Sequence, residues 1–130
     1  LITDGDVAGA LMVTEDKYNV DIFIGIGGGP EGVLAASALD AFECSFQGRF
    51  LFDTNEDKER AKKMGIKNLT KKYELNEIVL GDSIFCATGI TSGEMVSGIK
   101  IDKNEFISET LVTHKFSGLK KIIKNKDKII

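Results

Sequence analysis

The chain has 130 residues, 42% hydrophobic and 28% charged, with a formal net charge of −3. This is the size and make-up of one compact soluble globular domain. No apolar run is long enough to cross a bilayer, and the opening Leu1-Ile2-Thr3-Asp4 has no charged n-region and is no signal peptide.

Taken in chain order, residues 1–3 read as the end of a strand and residues 7–14 as a helix. The chain begins without Met, inside that strand, so a piece of a longer chain is expected. Asp21 to Ile26 is apolar and β-branched, the pattern of a strand buried on both faces. Glu31 to Phe42 is predicted helical, with Val33, Leu34, Ala38 and Phe42 apolar and Pro30 pre-set for its start. Residues 46–52 read as a strand. Thr54 or Asn55 then caps an acidic first turn, and Gly65 stops that helix. Glu74 to Val79 is a short helix and Ser83 to Ala87 a fourth strand. From residue 97 the pattern shifts to short β-like runs, 97–101, 110–116 and 119–123. The alternation predicts an α/β fold, a mostly parallel or mixed sheet with helices on both faces and antiparallel strands added at the end.

Charge is unevenly spread. Residues 1–114 carry 11 basic and 19 acidic side chains, net −8, while residues 115–130 carry six Lys and one Asp, net +5. The terminal lysines interleave with Leu119, Ile122 and Ile123, so a strand with a solvated lysine face is expected rather than a nucleic-acid contact. Cys44 and Cys86 share no metal-ligand spacing and read as small core residues in a reducing compartment.

Three loops at predicted strand ends carry the chemistry, because open α/β sheets bind ligands there. In the first, Asp4 and Asp6 flank Gly5. Two carboxylates two residues apart suit adjacent sugar hydroxyls or a metal, while Asp6 alone also reads as a helix cap. In the second, Gly27 to Gly32 matches G-x-G-x-x-G between a strand and a helix, with Asp53 in the position of a ribose-binding acid. Against a dinucleotide stand Pro30, which removes an N–H, and Glu31, whose charge opposes a pyrophosphate. The loop equally suits one carboxylate for a cation and glycine amides for an anion, or a plain tight turn. The third, Thr88-Gly89-Ile90-Thr91-Ser92-Gly93, offers hydroxyls and amides to a phosphate, or is a simple hairpin. Arg49 inside an apolar strand predicts a salt bridge. His114, the single histidine, reads as solvated or packed, which gives Ser/His/Asp and Cys/His chemistry little support.

Four segments occur in the order and spacing of one family: Thr3-Asp4-Gly5-Asp6-Val7-Ala8-Gly9-Ala10, Gly25-Ile26-Gly27-Gly28-Gly29-Pro30-Glu31-Gly32-Val33-Leu34-Ala35-Ala36, Gln47-Gly48-Arg49 and Ala87-Thr88-Gly89-Ile90-Thr91. Together they resemble the class II (GlpX-type) fructose-1,6-bisphosphatases over nearly the whole chain. The resemblance implies a lithium-sensitive, metal-dependent phosphatase fold related to the inositol monophosphatases. It implies hydrolysis of the 1-phosphate of fructose 1,6-bisphosphate with Mn²⁺ or Mg²⁺ in cytoplasmic gluconeogenesis, with sedoheptulose 1,7-bisphosphate as a second substrate in some members. By the family's pattern, Asp4, Gly5, Asp6 and Gly28 contact substrate and Glu31 ligates metal, with no catalytic residue assigned here. Residues 1–130 would then be the C-terminal domain of a larger homo-oligomeric enzyme, whose remaining metal ligands and phosphate-binding bases precede Leu1. These residues alone would be inactive. The family's Pro-Arg-Asn segment is replaced here by Phe52-Asp53-Thr54-Asn55, so that arginine is missing. A dinucleotide- or sugar-phosphate-binding module without enzymatic activity is the alternative.

Overall fold

A computed structural model describes residues 5–129. The chain folds as α/β, with helices in its first half and a β-rich second half. Helix α1 (Asp6–Leu11) runs into two turns of 3₁₀-helix, Met12–Thr14 and Asp16–Tyr18. Helix α2 spans Gly29–Ala41. A small ladder of β1 (Gln47–Gly48) and β2 (Tyr73–Glu74) brackets α3 (Asn55–Lys63), and α4 (Leu75–Ile78) follows. The four-stranded sheet contains β3 (Ile84–Thr88), β4 (Lys100–Asp102), β5 (Glu105–His114) and β6 (Leu119–Lys128).

Strand β5 organises that sheet. Its whole length pairs with β6 along one edge, from Glu105 opposite Lys128 to His114 opposite Leu119. The other edge is shared end to end: β4 pairs residues 105–107 and β3 pairs residues 110–114. Every pairing among the described residues is antiparallel, where the sequence predicts a mostly parallel or mixed sheet. The tight turns between β4 and β5 and between β5 and β6 permit only antiparallel pairing there, since a parallel pair needs a long crossover.

One sheet face is covered. Phe85 and Leu111 lie side by side there and pack with Leu11, Ala38 and Leu39 in the buried core, where α2 seals the sheet. Four alanines of α2 are buried, so the helix approaches closely. Lys115 Nζ ties the β5–β6 turn to Asp40 of α2 at 2.6 Å, and the Lys120 ammonium stands over the Phe42 ring. Glu109 accepts from the Ser97 amide at 2.8 Å and pairs with Lys124 at 3.0 Å. These contacts, the amide first, pull its pKa down to about 2. Thr113, also on the core side, is 1% exposed, and its hydroxyl has no hydrogen-bond partner among the described residues.

The expected lysine face of β6 is present, with Lys124 and Lys126 paired to Glu109 and Glu105. The predicted Thr54 cap also forms: its hydroxyl accepts from the Asp57 amide at 3.1 Å, and Gly65 ends α3 at φ +94°.

Four expectations need correction. The segment 21–26 joins no ladder among the described residues, and Ile22, Ile24 and Ile26 are 76%, 89% and 82% exposed. Its apolar pattern asks for neighbours on both sides, and the described chain supplies none. The strand expected over 46–52 shrinks to Gln47–Gly48. Arg49 is exposed and forms no ion pair among the described residues, because the chain leaves the ladder just before it. Cys86 is exposed, since its register opposite Val112 turns it away from the α2 side, whereas Cys44 is half-buried and its thiol pKa is raised by that burial.

Candidate functional site

The first two predicted loops meet. Gly5 sits at the N-cap of α1 with φ 80° and ψ 53°, the left-handed region that glycine enters without strain. This turns the chain so that α1 starts at Asp6. Asp6 is therefore the first helical residue and not the cap. Gly28 caps α2 in an extended conformation, Pro30 lies in the first turn and Glu31 follows. Helices α1 and α2 pack against each other, which brings their N-termini to one rim.

The glycines show how tightly the rim is drawn. A Cβ at Gly27 would lie 3.0 Å from Asp6 Oδ2. A Cβ at Gly28 would collide with Glu31 Oε2 and lie 3.2 Å from its Cδ. One carboxylate from each helix thus lies against the bare backbone of residues 27–28. Both carboxylates are exposed. Both lie in first helical turns, where the dipole favours negative charge and the leading N–H groups have no intrahelical partner. Acceptors and amide donors stand together on one surface, suited to hydroxyls, a hard cation and an anion.

Of the sequence-predicted site, Gly5, Asp6, Gly28 and Glu31 come together here. Asp4 lies outside the described residues. The third loop, Thr88 to Gly93, is built on contacts of its own. It is a closed knot in which Gly98 donates to Ser92 Oγ at 3.0 Å, Ile99 donates to the Ile90 carbonyl, and Thr88 and Thr110 share a hydroxyl bond of 2.8 Å. Several donors and hydroxyls proposed for phosphate are therefore spent internally. A Cβ at Gly98 would stand 2.6 Å from the backbone of Thr91 and Ser92, so the knot requires glycine. Arg49 lines a separate cavity of about 270 Å³ with Phe50, Leu51, Phe52, Lys58, Leu69 and Thr70.

One constellation was not legible in the sequence. His114 Nε2 lies 2.8 and 2.9 Å from the two Asp82 carboxylate oxygens, and its Nδ1 lies 2.7 Å from Ser117 Oγ. Asp82 is 32 residues from His114, and β3–β5 pairing brings them together. Only the i, i+3 spacing of His114 and Ser117 before Gly118 hinted at it.

The match to known proteins covers this chain almost end to end. The family described as bacterial fructose-1,6-bisphosphatase, glpX-encoded, matches residues 1–127, and the chain belongs to that family. A relative from Synechococcus sp. (strain JA-3-3Ab), named D-fructose 1,6-bisphosphatase class 2/sedoheptulose 1,7-bisphosphatase, is 34% identical over 86% of this chain and 36% of its own length. One of the same name from Trichodesmium erythraeum (strain IMS101) is 35% identical over the same shares. An Acaryochloris marina relative, D-fructose 1,6-bisphosphatase class 2/sedoheptulose 1,7-bisphosphatase 2, is 38% identical over 77% of this chain and 32% of its own length. The chain thus spans about a third of the length of the curated relatives it matches.

Proposed function

We propose that this chain supplies part of the active site of a metal-dependent phosphatase that removes the 1-phosphate of fructose 1,6-bisphosphate. The observation that carries this reading is the meeting of Asp6, bare Gly27–Gly28 backbone and Glu31 at two adjoining helix N-termini, within a family match over residues 1–127. The setting is cytoplasmic gluconeogenesis, in a homo-oligomer whose C-terminal sugar-phosphate-binding domain is residues 1–130.

The roles follow from chemistry. Asp4 and Asp6 accept hydrogen bonds from neighbouring sugar hydroxyls, with Gly5 providing the turn between them. Gly28 lets substrate approach the backbone at the start of α2. Glu31 is the metal ligand. Carboxylate oxygens suit a hard cation such as Mn²⁺ or Mg²⁺, and Asp6 and Glu31 supply such oxygens on one rim. Among the described residues no group of three or more His, Cys, Asp or Glu could hold a metal. We read Glu31 as one member of a larger ligand set, since a hard cation takes several oxygen ligands. When bound, the cation offsets phosphoryl charge and acidifies water. A dinucleotide is less well served, because Pro30 removes an N–H and the Glu31 charge opposes a pyrophosphate at this helix start.

The test is phosphate release by the intact protein from fructose 1,6-bisphosphate, sedoheptulose 1,7-bisphosphate and other sugar bisphosphates, with Mn²⁺ and after chelation. Release from fructose 1,6-bisphosphate that chelation abolishes is the expected result. No release from any bisphosphate, or release indifferent to chelation, sinks the reading. The 130 residues expressed alone are expected to be inactive.

A further inference from the structure

The Asp82–His114–Ser117 line belongs to neither helix of the carboxylate rim. Asp82 precedes β3, His114 ends β5 and Ser117 sits in the β5–β6 turn. A carboxylate can only accept, so His114 Nε2 carries the hydrogen that points to Asp82. In neutral imidazole that leaves Nδ1 as an acceptor, and the Ser117 hydroxyl at 2.7 Å must donate to it. The order carboxylate, imidazole, hydroxyl is that of a base-activated nucleophile. The turn is held at both ends. Lys115 is tied to Asp40, and Gly118, at φ +66°, donates its amide to the Lys115 carbonyl at 2.9 Å. Ser117 is exposed between these anchors, while the His114 side chain is only 20% exposed.

We propose that Ser117 is a nucleophilic modification site that takes an acyl group from a small activated ester. The Oγ–C bond forms as the ester C–O bond breaks. The hydroxyl proton passes to His114 Nδ1 and then to solvent, and the alcohol portion leaves with the bonding electron pair. Asp82 holds the imidazole in the tautomer that can receive the proton. The amide of Gly118 is already committed to Lys115 and gives no help to an oxyanion. An activated ester needs that help least, because its leaving group is stable. Hydrolysis of the resulting alkyl ester needs it more. The reaction therefore stops at one acyl group per chain.

The experiment treats the intact protein with p-nitrophenyl acetate, follows nitrophenolate release and maps acetylated residues by peptide mass spectrometry. Ser117 is expected to be acetylated roughly tenfold or more faster than Ser45 and Ser92, exposed serines of the same chain. His114→Gln and Asp82→Asn should each slow Ser117 acetylation by about tenfold or more, general-base help being worth that much or more. Equal labelling of Ser117 and Ser45 in the unaltered protein overturns the proposal, and that comparison needs no variant to fold. Undiminished Ser117 labelling in a His114→Gln protein with native circular dichroism overturns it as well.

Discussion

The carboxylate rim and the four-stranded sheet are held together by opposite means. The rim is local. Gly5, Gly28, Pro30, Asp6 and Glu31 lie within 27 residues and are positioned by helix starts and by the contact of α1 with α2. Its approach segment, Ile22 to Ile26, has no ladder among the described residues and leaves three isoleucines facing outward. The sheet is cooperative. Ten registered pairs join β5 to β6, one face is sealed by α2, and ion pairs line its edge. A binding surface built from turns keeps its polar groups available, whereas a scaffold built from ladders spends them on itself. The contrast predicts that changes at the rim affect function with little cost in stability, and changes in the sheet do the reverse.

The largest effect is expected from Glu31→Gln. In the intact protein, phosphate release should fall by orders of magnitude, since a lost carboxylate ligand weakens a cation worth several kcal/mol to the transition state. Stability should fall by only about 0.3–1 kcal/mol, the size of a helix-dipole term. Unchanged activity and metal dependence would make Glu31 a helix-start residue and nothing more. Leu111→Ala tests the other side. Leu111 is 6% exposed at the sheet–α2 contact, and its truncation should cost about 2–5 kcal/mol in denaturant unfolding. A loss under about 1 kcal/mol would mean that the sheet's sealed face does not carry the fold.

Asp6→Ala comes next. Losing a hydrogen bond to a sugar hydroxyl costs on the order of 1–3 kcal/mol, so KM should rise roughly tenfold or more. The Mn²⁺ concentration for half-maximal activity should hardly move. A shifted metal requirement at constant KM would instead place Asp6 among the metal ligands.

Two smaller effects sharpen the picture of the sheet. Glu109 has its pKa depressed from 4.5 to about 2 by the Ser97 amide and Lys124. A depressed carboxyl stabilises the fold above its unfolded pKa, and that contribution drains away as pH falls from about 4.5 to about 2. The urea midpoint should fall over this window, and Glu109→Gln should make the fall shallower. An identical pH profile in the variant would remove Glu109 as its cause. The smallest change is Thr113→Val, which keeps the shape and deletes a buried hydroxyl without a partner among the described residues. Stability should rise by about 1 kcal/mol, since an unsatisfied buried polar group is a net cost. A clear loss would show that the hydroxyl is satisfied in solution.

What the sequence determined by itself was the set of features fixed by local backbone chemistry. Thr54 and Gly65 bound α3 because a hydroxyl can cap three residues ahead and glycine can take positive φ. Pro30 and the glycines before it open α2, and Gly5 turns the chain into α1. The carboxylates of the rim were legible for the same reason, since their places depend on those turns. The tertiary structure decided which strands pair and in which direction, and it left 21–26 unpaired among the described residues despite a pattern made for a buried strand. It exposed Arg49 and Cys86, and it carried Asp82 across 32 residues to His114. Pairing partners and register depend on contacts between residues far apart in the chain. A local apolar or polar pattern says that a segment wants a neighbour but does not say which one.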